Sequence, residues 1–309
     1  MKKIISHVVI EQENGWRLER VLKSRLEMSP QEISRAKFRP DGICVNGIRR
    51  KVTEVVQPGD RVEVCLEEEA LASDQLISMP GQLDILYEDE DVLVVNKPAG
   101  LVCHPTGGHY DDTLANIMQY YFRERGRQVV IRLIGRLDQE TSGVVLAAKS
   151  QAAANRLNRQ KEQGILRKEY LALVEGCPRP LAGTITAPIG RTTQEQCGLR
   201  DSIKMQVSLE GQSACTYYEV RKAWEESSLV SLHLETGRTH QIRVHMSSLG
   251  CPLLGDTLYR GDETDGAFTR AALHAVRLKF QQPFTKEPIC VEAALPADFE
   301  SYLRKRDRL

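Results

Sequence analysis

The sequence predicts an α+β fold in which a mixed, largely antiparallel sheet flanked by helices follows a small N-terminal α/β domain. Short runs of β-forming residues are bounded by turn signals such as Asn46-Gly47. Several runs follow one another without an intervening helix, so hairpins are expected rather than strictly alternating strands and helices. An acidic strip divides the chain, because residues 67–91 carry nine acidic and no basic side chains.

Two helices, a hairpin and one further strand are predicted before this strip. Residues 17–26 place apolar side chains on one helical face, and Ser29-Pro30-Gln31-Glu32 is a capping box that opens a second helix. Asn46-Gly47 lies in a predicted hairpin over 43–48, because both residues tolerate positive φ. Pro58-Gly59-Asp60 turns the chain into a strand over 61–66.

The remaining elements follow from runs of apolar residues and from caps. Thr113 and Ser150 are predicted N-caps, Gly164 is a predicted helix-terminating residue, and residues 176–212 are predicted to be irregular and exposed. The predicted strands are 84–87, 92–95, 129–134, 144–148, 169–175, 217–222, 229–234, 272–280 and 289–292, and the predicted helices are 113–125, 151–163, 240–249 and 296–304.

The length of 309 residues and the charge distribution predict two domains. The net charge is +4 over residues 1–66 and +5 over residues 92–309, so two mildly basic units flank the acidic strip. We place an N-terminal domain at 1–70, an acidic linker at 71–83 and a second domain at 84–309.

The eight cysteines are scattered without a Cys-x-x-Cys pair, which argues against a zinc ribbon or a redox dithiol. The N-terminus lacks the apolar core of a signal peptide, and no apolar stretch approaches the length of a membrane span. The sequence therefore predicts a cytoplasmic protein without a membrane partner.

Asp138 lies between two apolar runs, in a connection that contains the turn signal Thr141-Ser142-Gly143. A loop held by a rigid sheet is a common position for a reactive group. The alternative is a structural Asp that accepts hydrogen bonds from the amides of its own turn. Spacing alone does not decide between the two.

Four segments together resemble the RluA-type pseudouridine synthases. The segment that contains Asp138 resembles the family signature, although Gly135 stands where many members have His. The other three occur in the family's order, so the resemblance covers about residues 84–295. The segments are Asn96-Lys97-Pro98-Ala99-Gly100-Leu101, Arg136-Leu137-Asp138-Gln139-Glu140-Thr141-Ser142-Gly143, Lys168-Glu169-Tyr170 and Thr236-Gly237-Arg238-Thr239-His240-Gln241-Ile242-Arg243-Val244-His245.

The resemblance implies that Asp138 attacks C1′ of a uridine or removes its C2′ proton. Arg238 is the first candidate to pair with Asp138 and Arg243 the competitor, and either could instead contact the RNA.

Tyr170 would stack on the uracil and place its phenol near C5, although a strand Tyr is usually a core residue. Arg136 would fill the gap left by a flipped nucleotide, with a salt bridge inside the loop as the alternative.

The N-terminal elements resemble the RNA-binding domain named after ribosomal protein S-four. Six basic residues around the Asn46-Gly47 hairpin form a candidate phosphate-binding surface, the alternative being an ordinary solvated face. These residues are Arg35, Lys37, Arg39, Arg49, Arg50 and Lys51.

The leading hypothesis is a monomeric RNA uridine isomerase that needs no cofactor and no metal. Its expected substrate is large-subunit ribosomal RNA rather than tRNA. His240 and His245 are five residues apart, and Cys103-His104 has no second pair nearby, so ligand spacing is unsuitable. The alternatives are a non-catalytic RNA-binding or ribosome-assembly factor, and a glycoside hydrolase with Glu140 or Glu169 as second carboxylate.

Overall fold

A computed structural model describes residues 2–67, 76–192, 204–260 and 268–307. Its N-terminal unit is a four-stranded sheet with two short helices. The strands pair in the order β1-β4-β2-β3, and both helices pack on one face of the sheet around a core that includes Leu18, Leu22 and Val64. These elements are β1 (Lys2–Val8), α1 (Leu18–Ser24), α2 (Pro30–Ala36), β2 (Ile43–Val45), β3 (Ile48–Arg49) and β4 (Arg61–Glu67).

The local signals in this unit are confirmed. Ser29 Oγ accepts from the N–H of Glu32, and the Glu32 carboxylate accepts from the N–H of Ser29 at 2.7 Å. Asn46 and Gly47 both have positive φ, and β2 and β3 form the expected hairpin. Strand β1 was not predicted, because its two neighbouring Ile residues do not alternate cleanly and its stability depends on pairing with the distant β4.

The larger unit contains a ten-stranded sheet with helices packed against it. Its elements are β5 (Asp84–Glu88), β6 (Val92–Lys97), α3 (Leu114–Arg123), β7 (Arg132–Leu133), β8 (Ser142–Ala148), α4 (Gln151–Glu162), β9 (Arg167–Glu175), β10 (Ala182–Ile185), β11 (Ile189–Arg191), β12 (Met205–Val207), β13 (Thr216–Ala223), β14 (Ser227–Leu234), α5 (Gln241–Ser248), β15 (Leu273–Gln281), β16 (Pro288–Glu292) and α6 (Ala297–Arg306).

The large sheet confirms the predicted mixed, largely antiparallel class. Its main path is β10-β13-β14-β9-β15-β8-β6-β5, and the β8–β15 pair is parallel. Gly143 allows this close pairing, because a Cβ there would lie 2.2 Å from the carbonyl oxygen of Ala275 and its φ is +111°. The sheet thereby fixes the end of the loop that carries Asp138.

Two of the sequence predictions need correction. The strand expected over 129–134 is limited to Arg132–Leu133, because the buried Val129 and Ile131 pack into the core outside the ladder. Residues 176–212 are less irregular than expected. They contain β10, which pairs with β13, and β11 and β12, which pair with each other in a separate two-stranded sheet. Residues 193–203 of that segment lie outside the described part of the chain.

The N-terminal unit contacts the larger unit through polar groups. Arg156 on α4 is buried, and its Nη2 donates to the carbonyl oxygen of Leu26 at 2.6 Å. Lys3 Nζ lies 2.5 Å from the Asp91 carboxylate. Of the predicted linker, residues 71–75 lie outside the described part, and 76–83 carry no helix or strand. Among the described helices, none has the length and apolar character of a membrane span.

Candidate active site

The loop that carries Asp138 connects β7 to β8 and is held by hydrogen bonds to Cys103. Leu137 is buried, its N–H donates to Cys103 Sγ, and its carbonyl oxygen accepts from the same thiol at 3.3 Å. The N–H of Thr141 donates to the carbonyl oxygen of Asp138 at 3.1 Å and closes a turn. These contacts fix the backbone and leave the half-buried Asp138 side chain directed away from the core.

The Asp138 carboxylate accepts no hydrogen bond and forms no ion pair with any residue in the described ranges. The alternative from the sequence was a structural Asp that binds the amides of its own turn. That arrangement does not occur, because only the backbone of Asp138 takes part in the turn. The carboxylate is therefore available to a ligand.

Asp138 opens into a cavity of about 580 Å³. The cavity also contains three of the other residues proposed from the sequence, which come from separate segments of the chain: Arg136, Tyr170 and Arg238. Its walls include Ile242 and Leu273, so an apolar surface meets polar groups, as is typical of small-ligand sites.

Tyr170 reaches the cavity from β9. Its ring packs into the main core and is 8% exposed, and the side chain also lines the cavity. Its hydroxyl bonds to no described residue. Burial, together with the negative charge of Asp138 and a smaller contribution from Cys103, raises the pKa of Tyr170 well above its usual value. The phenol therefore stays protonated at neutral pH.

Arg136 lies at the exposed rim of the cavity. Its Nη2 donates to Thr239 Oγ1 at 2.6 Å, which links the Asp138 loop to the segment around Arg238. The alternative of a salt bridge within the loop does not occur among the described residues. The guanidinium edge that remains is open to a ligand.

Gly135, where many RluA-type sequences carry His, has a φ of +77°. Side chains rarely adopt this conformation, so the backbone itself favours glycine here. Lys161 Nζ lies 3.9 Å from where a Cβ would be placed at Gly135, and 3.9 Å from the same position at Gly237. An ammonium group therefore occupies the space between these two loops at the mouth of the cavity.

Arg238 lines the cavity but forms no ion pair with Asp138 in the structure as described. Its Nε donates to the carbonyl oxygen of Ser213 at 2.9 Å. The Gln241 side chain holds the same segment by accepting from the N–H of Arg238 at 3.0 Å. The expected pair is thus absent without substrate, although both groups face the same cavity.

Arg243 does not line the cavity. It is buried, and its Nε and Nη2 donate to the two carboxylate oxygens of Asp256, each at 2.7 Å. Nη2 also lies 3.4 Å from Glu140, two residues beyond Asp138. Burial opposes its charge, but the hydrogen bonds and the negative charges of Asp256, Glu140 and Asp138 outweigh it, so the pKa of Arg243 is raised. This geometry indicates that Arg243 stabilises the Asp138 turn from outside the cavity, through Glu140.

Replacing Arg243 with Met should destabilise the fold strongly. Asp256 is fully buried, and loss of its partner leaves an unpaired carboxylate. We expect a cost of about 3–5 kcal/mol in the free energy of unfolding. Chemical denaturation measures this cost. Arg304→Met removes an exposed pair with Glu300 and serves as the matched control. Equal stability of the two variants would contradict the structural role of Arg243.

Lys97 was not singled out from the sequence, although a Lys that ends an apolar strand is an unusual signal. It is fully buried, and its Nζ donates to the carbonyl oxygens of Pro98, Leu101 and Gln139 at 2.9, 2.7 and 3.1 Å. Burial lowers the pKa of Lys97 to about 8, against the opposing influence of Cys103 and Asp138. Lys97 ties the loop after β6 to the turn that contains Asp138.

The two carboxylates considered for a glycoside hydrolase lie outside the cavity lining. Glu140 binds Arg243 and accepts from the N–H of Ala271 at 3.2 Å. Glu169 lies on the face of β9 opposite Tyr170 and pairs with Arg277 at 2.9 Å. Neither of these two carboxylates therefore shares the cavity with Asp138.

Three histidines have separate hydrogen-bond partners. His109 bonds to Asp112, His240 to Tyr259, and the buried His245 to Thr216 and to the carbonyl oxygen of Ala187. Within the described ranges, no group of three His, Cys, Asp or Glu side chains is arranged to hold a metal ion.

The six basic residues proposed to bind phosphate lie on two neighbouring segments of the N-terminal unit. Arg49 Nη2 donates to the carbonyl oxygen of Lys37 at 2.7 Å and joins the end of α2 to β3. Arg39 and Arg50 have internal partners in Cys65 and Glu54. The charged groups of Arg35, Lys37 and Lys51 have no hydrogen-bond or ion-pair partner among the described residues.

Comparisons with known proteins show the family of this chain. The model of the family described as RNA pseudouridylate synthase matches residues 91–248. The chain is 40% identical over 299 residues to RNA pseudouridine synthase YhcT of Bacillus subtilis, covering 96% of this chain and 95% of the relative. It is also 40% identical over 254 residues to ribosomal large subunit pseudouridine synthase D of Xanthomonas campestris, covering 78% and 73%.

Solved structures give the same result. The human protein RNA Pseudouridylate Synthase Domain Containing 4 matches with a TM-score of 0.57 and 27% identity, over 72% of this chain and 92% of that chain. Human RNA Pseudouridylate Synthase Domain Containing 1 matches with a TM-score of 0.55 and 32% identity, over 71% and 86%.

Proposed function

This chain belongs to the RNA pseudouridylate synthase family, and on that basis we propose that it converts specific uridines of large-subunit ribosomal RNA to pseudouridine. The single observation that carries the proposed site is the unpaired Asp138 carboxylate, which faces a cavity shared with Tyr170, Arg136 and Arg238. The ribosomal target rests on the name of the Xanthomonas relative.

The reaction breaks the C1′–N1 bond of uridine and forms a C1′–C5 bond. In one route, Asp138 forms a bond to C1′ as N1 leaves, and C5 later displaces the carboxylate. In the other, Asp138 removes the C2′ proton as the C1′–N1 bond breaks, which gives a glycal. C5 then bonds to C1′ while Asp138 returns the proton to C2′. Either route ends with loss of the C5 proton, and no redox partner or external nucleophile is required.

Tyr170 and the arginines have distinct proposed roles. Tyr170 is neutral, so it must pass its hydroxyl proton to the Asp138 carboxylate or to solvent as it takes up the C5 proton. Arg238 moves to the carboxylate when the substrate displaces its bond to Ser213. Arg136, at the rim, stacks in the gap left by the flipped nucleotide.

The N-terminal unit, residues 1–70, is proposed to be an S-four-like RNA-binding domain, joined by the linker at 71–83 to a catalytic domain at 84–309. Its separate core and its basic surface support this division. We propose that the protein acts as a monomer in the cytoplasm. The described cysteines are all free, which agrees with a reducing compartment.

Neutralising Arg35, Lys37 and Lys51 together with Gln should weaken RNA binding and reduce its salt dependence. We expect the slope of log affinity against log salt to fall by about 0.7 per lost contact for single strands and about 0.9 for duplex. Filter binding across a salt series measures the slope. Neutralising Arg221, Lys222 and Lys279 removes the same charge from another surface and is the control. Equal slopes in the two variants would show that the N-terminal surface does not touch phosphate.

The function is tested by mapping pseudouridines in ribosomal and transfer RNA from cells that lack the gene. We expect at least one pseudouridine to disappear from large-subunit RNA and to return with the wild-type gene but not with Asp138→Asn. A complete set of pseudouridines in large-subunit RNA, with a loss confined to tRNA, would overturn the proposed substrate.

A further inference from the structure

Lys168 shares the catalytic face of β9 with Tyr170. Alternation along a strand places residues two apart on the same side of the sheet, and both side chains line the cavity with Asp138. Glu169, between them, points to the opposite face, where it pairs with Arg277. The strand therefore delivers an ammonium group and a phenol to the same space.

The Lys168 ammonium has no hydrogen-bond or ion-pair partner among the described residues, although the side chain is half-buried. Two other buried lysines, Lys97 and Lys149, have polar partners. Lys97 donates to three carbonyl oxygens, and Lys149 lies 2.5 Å from the Glu88 carboxylate. Withdrawing an unpaired cation from water costs free energy, so a ligand of opposite charge is needed to offset it.

The other cations of the cavity are placed differently. Arg136 is bonded to Thr239, Arg238 to the carbonyl oxygen of Ser213, and the exposed Arg167 to the carbonyl oxygen of Gly164. Lys161 is exposed at the mouth, where solvent screens its charge. Lys168 is therefore the half-buried cation beside Tyr170 that has no hydrogen-bond or ion-pair partner among the described residues.

We propose that the Lys168 ammonium donates a hydrogen bond to a carbonyl oxygen of the target uracil and stabilises the anion formed when the C1′–N1 bond breaks. This inference rests on the proposed function. The electron pair of the broken bond passes to N1 and is shared with O2 and O4 of the ring. A fixed cation beside one of these oxygens is attracted more strongly to the anion than to neutral uracil, so it lowers the barrier to cleavage.

The same placement predicts a pH dependence. Burial, with a contribution from the nearby Lys161 and opposed by Cys103, lowers the pKa of Lys168 to about 8. Because the ammonium form is the active one, kcat should fall as the pH rises through about 8. The other titratable or charged groups that line the cavity are Arg136, Asp138, Glu162, Arg167, Tyr170, Tyr217, His233, Glu235 and Arg238.

The test compares Lys168→Met and Lys168→Arg with wild type on a tritium-labelled uridine RNA, together with RNA affinity and a pH series. We expect Lys168→Met to lose about 10²-fold in kcat with little change in RNA affinity, a loss typical of one removed transition-state donor. Lys168→Arg should keep substantial activity and lose the decline near pH 8, because guanidinium stays protonated. Lys97 also has a pKa of about 8, but it is unchanged in both variants, so a decline caused by Lys97 would persist in Lys168→Arg.

Lys279→Met, on the exposed part of β15, is the matched control and should behave as wild type. Thermal melts establish that each variant is folded. A Lys168→Met enzyme with wild-type kcat, or with a loss confined to RNA affinity, would overturn the role of Lys168. An inactive wild type would instead refute the proposed function.

Discussion

Replacing Asp138 with Asn should abolish turnover while RNA affinity stays close to that of wild type. The amide has the same shape as the carboxylate but acts neither as a nucleophile toward C1′ nor as a base toward the C2′ proton. The carboxylate forms no hydrogen bond or ion pair with a described residue, so its replacement breaks no such bond and mainly removes chemistry. We expect kcat to fall by about 10²–10⁴-fold if Asp138 is a base, and further if it is a nucleophile.

Asp84→Asn makes the same change at an exposed site on β5, where Asn96 Nδ2 donates to the carboxylate at 3.0 Å, and should retain full activity. Turnover is followed by tritium release from RNA labelled at C5 of uridine, and affinity by filter binding. If the kcat of Asp138→Asn lies within about tenfold of the wild-type kcat, the variant has not lost a general base or a nucleophile. Asp138 would then have a structural role.

Replacing Tyr170 with Phe should leave RNA binding normal and slow the reaction by about 10²–10⁴-fold, because the ring remains while the proton-transferring hydroxyl is removed. The hydroxyl has no described protein partner, so its removal breaks no internal hydrogen bond and stability should be preserved. If the C5 proton leaves in a late step, the variant should cleave the glycosidic bond and stall before tritium is released. Rapid quenching and nucleoside analysis would detect that stalled product.

Tyr218→Phe is a suitable control, because Tyr218 is buried outside the cavity and donates to the carbonyl oxygen of Pro180 at 3.1 Å. It should lose some stability and no intrinsic activity. Normal tritium release by Tyr170→Phe would restrict Tyr170 to packing and stacking.

Elements with local signals were predicted well from the sequence. The capping box at Ser29, the cap at Ser150 and the Asn46-Gly47 hairpin are encoded within a few residues, and the structure has each of them. Strands β1, β10, β11 and β12 lack such signals, because their stability depends on partners brought together by the rest of the fold. Sequence periodicity over three or four residues does not reveal those partners.

In the candidate site too, features with local sequence signals could be predicted and features that depend on distant partners could not. The turn that carries Asp138 could be located between two apolar runs, and the strand that carries Tyr170 could be predicted. The position of Arg243 could not, because its partners Asp256 and Glu140 come from other segments of the chain. Lys97 and Lys168 belong to short motifs, yet only the packing distinguishes the lysine that binds three carbonyl oxygens from the one left without a partner.

The central claim is most directly tested by incubating the purified full-length protein with unmodified large-subunit ribosomal RNA labelled with tritium at C5 of uridine. We expect the wild-type protein to release tritium up to a fixed number of sites, with pseudouridine appearing in equal amount on nucleoside analysis, and Asp138→Asn to release none. Tritium release without pseudouridine, or a folded wild-type protein that binds the RNA and forms no pseudouridine, would contradict the account.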